Sequence, residues 1–132
     1  MKPDSTTAPA GATALTTKDA DLLDAFERRA KAFSELLALK EDGPTTIADE
    51  ERLWDEINMS EGAIAIWQAE TPRGVEAQLW TALAHLVGEA EQDARTYRGD
   101  LAYFNAIKTD LDWPAKIVLA AINSLRALGG AA

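Results

Sequence analysis

The stretch Thr17–Leu37, TKDADLLDAFERRAKAFSELL, decides the fold class. Leu22, Leu23, Phe26, Ala30, Phe33, Leu36 and Leu37 recur at helical steps, while Asp, Glu, Lys and Arg fill the other side. That is an amphipathic helix with a wide apolar stripe. Thr16 or Thr17 supplies an N-cap oxygen, and Asp19 and Asp21 lie in the first turn, where the helix dipole favours anions. Gly43-Pro44 ends the pattern, because glycine accepts a left-handed C′ conformation and proline cannot extend the ladder.

Outward from this segment the same signals repeat. Thr46-Ile-Ala-Asp49 resembles a capping box with Asp in place of Glu and opens a second helix. Its seam is Leu53, Ile57, Ser60, Ile64 and Trp67, flanked by Trp54 and Ile66. Asn58, Ser60 and Gly62 are weak helix formers, so a kink or fray is expected near 58–62 and an end near Glu70. Thr71-Pro72 starts a third helix, with proline at the position where its missing N–H costs nothing. Val75, Leu79, Leu83, Leu86 and Ala90 carry its stripe. Tyr97, Leu101, Phe104 and Leu111 resume the spacing, so this helix either runs past Gly88 or breaks near Gly99-Asp100. Asp112-Trp113-Pro114 restarts a final helix with Ile117, Val118, Ala121, Ile122, Leu125 and Leu128 inward, closed by Gly129-Gly130. No alternating strand pattern occurs.

The sequence thus predicts an all-α protein, a small bundle of four to five helices built on an antiparallel helical hairpin, with the later helices over the hairpin's apolar face. Residues 1–16 read as a mobile tail without hydrophobic period, and 17–130 as one domain. Leu37, Ile57, Leu83 and Ile122 are expected in the core.

Composition narrows function. There is no cysteine and one histidine, so thiolate metal sites and cysteine nucleophiles are excluded. His85 and Glu89 lie one turn apart and offer two ligands, too few for a zinc or di-iron site. No metal, cofactor or catalytic set is predicted. The start lacks the apolar run of a signal peptide and no run is long enough to span a bilayer, so a cytoplasmic protein without membrane contact is expected. Net charge is −9, and residues 44–70 hold seven carboxylates against Arg52 alone. No basic stripe could release counterions from phosphate, which argues against direct nucleic-acid binding. Arg28, Arg29 and Lys31 sit among Asp24, Glu27 and Glu35, which could pair with them along the helix.

Asp49, Glu50, Glu51, Asp55 and Glu56 are the candidate partner-binding residues, although dipole stabilisation of a helix start also explains them. Tyr97, Tyr103, Phe104 and Trp113-Pro114 are expected in the core, with a ligand pocket or a partner surface as the alternatives. Arg95 and Arg98 could grip an anion unless Glu91, Asp93 and Asp100 satisfy them.

The segment Trp67–Leu86, WQAETPRGVEAQLWTALAHL, resembles one found in short helical bacterial proteins of prophage or mobile-element type. The resemblance covers about residues 20–87 and 112–128 and implies an accessory role with no catalytic residues. The leading expectation is a non-enzymatic protein–protein interaction module whose partner is another protein, compatible with a homo-oligomer. One alternative is an acidic anti-defence or regulatory inhibitor that occupies a nucleic-acid-binding groove. Another is a small-ligand-binding protein or enzyme with an inter-helix pocket.

Overall fold

Leu22, Ala25, Arg29, Ala32 and Leu36 follow one another at steps of three and four and form the buried line of α1 (Ala20–Glu41). In the computed structural model, which describes residues 18–43 and 46–129, this line packs on Leu53, Ile57, Ser60 and Ile64 of α2 (Ile47–Ile66). Leu36 shares a cluster with Leu53 and Ile57, and Leu22 one with Ile64, so early α1 meets late α2. The two helices are an antiparallel hairpin, as the sequence predicts. Gly43 turns the chain after α1 with φ 116°, a conformation that suits glycine. The Thr46 hydroxyl caps α2 by accepting from the Asp49 N–H at 3.1 Å.

Thr71 caps α3 (Pro72–Ala84) through the Gly74 N–H at 3.0 Å, with Pro72 first in the helix. One face of α3 turns Ala77 and Thr81 inward, and Trp80 and Leu83 join a cluster with Phe104, Leu111, Ala115, Leu119 and Ile122. The chain after α3 divides into short pieces: α4 (Ala90–Tyr97), α5 (Leu101–Ala106) and a 3-10 turn at Lys108–Asp110. Asp112 precedes α6 (Trp113–Gly129), and its carbonyl accepts the Lys116 N–H at 2.9 Å. The protein is an all-α bundle, with α3 and α4 against the hairpin and α6 chiefly against α3. Among the described residues no helix is long and apolar enough to cross a membrane.

Several details differ from the sequence reading. The third helix stops at Ala84, before Leu86 and Ala90; the later break at Gly99, whose φ is 62°, is one of the two courses the spacing allows. A side chain at Gly99 would also press on the Trp80 indole, with an added Cβ 3.3 Å from Nε1. Weak helix formers at 58–62 leave α2 unbroken, because Ile57, Ser60 and Ile64 hold one face of that stretch against α1; the helix ends at Ile66, not near Glu70. Leu37 is 40% exposed, since the buried line of α1 passes through Leu36 and Ala32 instead. On α6 the buried line is Ala115, Leu119 and Ile122, which turns Ile117 and Leu128 outward. The predicted tail, 1–16, and the Thr16 or Thr17 cap lie outside the described residues.

Candidate functional site

Asp19 stands at the N-cap position of α1 but does not cap that helix. Its buried carboxylate accepts instead from the linker between α2 and α3: the Trp67 indole N–H at 3.2 Å, the Glu70 N–H at 3.1 Å, the Thr71 N–H at 2.9 Å, and the Thr71 hydroxyl. Burial works against its ionisation, but the donors from Thr71, Glu70 and Trp67 outweigh it and hold the carboxyl below its ordinary range. The sequence reading gave Asp19 only a dipole role.

A second cluster lies where α1, α2, α3 and α4 meet. Arg29 falls on the buried line of α1 and is fully enclosed. Its Nε–H donates to Glu61 Oε2 at 2.8 Å, and its guanidinium lies 3.8 Å from the centre of the Tyr97 ring. Phe33 stacks on Tyr97 with ring centres 4.0 Å apart. Both terminal guanidinium nitrogens are buried without a hydrogen-bond partner. The other Glu61 oxygen faces His85 Nε2 at 3.1 Å. A row of charge-bearing groups therefore runs from the interior to solvent: Arg29 enclosed, Glu61 at 19% exposure and His85 at 65%. Burial raises the Tyr97 phenol to about 12, against the opposing pull of Arg29. Burial likewise raises the Asp93 carboxyl, with Arg29 and His85 opposing.

A shallow cleft of about 410 Å³ opens beside Glu61 and His85, floored by Ile64, Ala65 and Ala82. Its other polar groups are already engaged. The Gln78 amide N–H₂ donates to the Ile64 and Trp67 carbonyls at 3.1 and 2.6 Å, and the Thr81 hydroxyl to the Ala77 carbonyl at 2.9 Å. What the arrangement does chemically is compensate the buried guanidinium. His85 thus turns to Glu61 rather than pairing with Glu89, and no group of three or more metal-ligating side chains occurs among the described residues.

The α2 carboxylates are spread over a surface. Glu51 and Asp55 are exposed, while Asp49, Glu50 and Glu56 are half-buried. The Ser60 hydroxyl donates to Glu56 at 3.3 Å. Exposed apolar side chains stand on the same helix: Ile47 at 76%, Met59 at 73%, Ile66 at 86% and Trp54 at 40%. Of the basic and aromatic candidates, Arg28 pairs with Asp24 as expected, at 3.2 Å. Arg95 is held by Asp100 at 2.7 Å and Glu91 at 3.2 Å and is not free for an anion. Tyr97 and Phe104 are buried in separate clusters, and Trp113 stands outward at 74% exposure, so the aromatics form no common pocket.

Arg29 and Glu61 are what the sequence reading missed. A signal was present: Arg29 occupies the strict three-four line Leu22, Ala25, Arg29, Ala32, Leu36, and Glu61 adjoins the seam serine. The chain matches no protein-family model, curated protein or solved structure.

Proposed function

We propose that the protein is a non-enzymatic helical interaction module that contacts another protein through the outer face of α2. The observation that carries this reading is the mixture on that face: Ile47, Trp54, Met59 and Ile66 exposed among Glu51 and Asp55. Large apolar side chains in the open supply contact area, and carboxylates among them select a partner of opposite sign. The partner surface that fits is apolar at its centre and rimmed by Lys or Arg. The resemblance of residues 67–86 to short helical bacterial proteins of prophage or mobile-element type is in keeping with an accessory role of that kind.

The test uses the full chain as bait in cells of its source, followed by binding of the purified captured protein. One variant replaces Glu51 and Asp55, the exposed carboxylates of that face, with their amides; a second is Trp54→Ser. The amide variant should associate more slowly, with the difference shrinking at high salt, and Trp54→Ser should dissociate faster. Unchanged association and dissociation in both folded variants would overturn the reading.

A further inference from the structure

An open cleft of about 600 Å³ lies between the 3-10 turn and α6, away from the acidic face of α2. One wall is Lys108 and Thr109. The other is α6, where Lys116 and Ala120 lie on the same side of the helix and Leu119 forms an apolar floor. Asn105 and Asn123 close one end. Their side-chain amides bond each other reciprocally, at 3.1 and 2.9 Å, and Asn123 also donates to the Leu119 carbonyl at 3.1 Å. That wall is consequently fixed, its amide groups largely spent on one another.

Charge sets this cleft apart. The chain has 22 carboxylates against 13 Lys and Arg, yet no carboxylate lines the cleft, and Asp110 and Asp112 on the adjoining connection stay outside it. Among the described residues the ammonium group of neither Lys108 nor Lys116 makes an ion pair or hydrogen bond. Two uncommitted ammonium groups over an apolar floor, in a cleft of ligand-binding size, call for a compact apolar body with an anionic head. Lysine stems can lie along such a floor while their charged ends reach the head group.

We propose that this cleft binds a small organic anion, a phosphate or carboxylate on a compact apolar body, with Lys108 and Lys116 on the charge and Leu119 and Ala120 against the body.

Amide chemical shifts of the full chain, followed by NMR during titration with phenyl phosphate and separately with benzoate, test this. Saturable shifts at Lys108, Thr109 and Asn123 with either anion are the expected result, and the tighter of the two identifies the head group. Benzyl alcohol and inorganic phosphate, which lack the charge and the body respectively, should each bind at least about tenfold more weakly. Lys108→Gln with Lys116→Gln should weaken the anion by about tenfold or more. Both side chains are exposed and unpaired, so this variant should melt like the parent. A rise in salt should weaken binding to the unaltered protein, a measurement that needs no variant. Absence of saturable shifts with both anions, equal binding of benzyl alcohol, or salt-independent binding would overturn the proposal.

Discussion

Gly74 lies directly beneath the carboxylate of Asp19, so close that a Cβ added there would sit 2.8 Å from Asp19 Cγ and 3.0 Å from Leu22 Cδ2. The contact has little room to relax, because Asp19 is pinned from above by the 67–71 linker and Leu22 is fully buried. The Thr71 hydroxyl donates to Asp19 and accepts from the Gly74 N–H, so one residue closes the start of α3 onto the start of α1. Gly74→Ala should destabilise by about 1–3 kcal/mol, the usual cost of overpacking. In an Asp19→Ala background the added methyl has space, so its cost should fall well below that figure. Urea denaturation of the four proteins in this cycle measures the coupling, and additive costs would refute the contact.

The same carboxylate gives stability a pH dependence of known sign. Asp19 titrates below its ordinary value in the folded protein, so its contribution is complete above the unfolded-state value and is lost as pH falls through the folded one. Glu76 acts in the same sense, chiefly because Arg126 donates to both its oxygens at 2.9 and 2.7 Å. Asp93, raised by burial, acts in the opposite sense. Stability should therefore fall below about pH 4, near the unperturbed carboxyl range, and less steeply in Asp19→Asn. Melting temperatures from pH 7 to 2.5 check this, and an identical slope in Asp19→Asn would reject it.

Arg29 and Glu61 are not equivalent ends of their ion pair. The arginine is enclosed with two unbonded nitrogens, whereas the glutamate keeps contact with solvent and with His85. Removing the carboxylate leaves a buried charge uncompensated, and Glu61→Ala should cost about 3–5 kcal/mol. Arg29→Met removes the charge, keeps an apolar stem against Tyr97 and leaves Glu61 free to hydrate, so its cost should be smaller. The double variant should be no less stable than Glu61→Ala alone. A reversed order, with Arg29→Met the more damaging, would show that the cation–ring contact dominates.

How much of this was legible in the sequence depends on what each residue answers to. The helical class, the hairpin, and the caps at Thr46 and Thr71 follow from local rules, and they stand in the structure. The seam of α2 was readable down to Ser60, because period and side-chain size agree there. On α1 they disagree. Arg29 occupies a core position and Leu37 a rim position, and a search for large apolar side chains follows Leu37 and passes over Arg29. The Asp19 latch and the Glu61–His85 contact join residues 48–52 and 24 apart in sequence. No local pattern specifies such pairs; they exist because packing brings α1, α2 and α3 together. The break after Ala84 was equally hidden, since Leu86 and Ala90 continue the helical period past the point where the chain leaves the helix.

That distinction between period and placement predicts opposite outcomes for two leucines. Leu83 is completely buried within the cluster of Trp80, Phe104, Leu119 and Ile122, where a truncated side chain leaves a cavity between α3 and α6. Leu83→Ala should cost about 3–5 kcal/mol. Leu37 is 40% exposed, although the sequence pattern marks it as core. Its truncation forfeits only part of one side chain's transfer energy and opens no enclosed void, so Leu37→Ala should cost about 1 kcal/mol. Chemical denaturation of both variants, with unchanged denaturant slopes, decides the matter. Equal losses would mean that Leu37 is covered in solution, either by residues before 18 or by a second chain. A rerun of Leu37→Ala on a chain lacking residues 1–15, at two protein concentrations, would then separate those two covers.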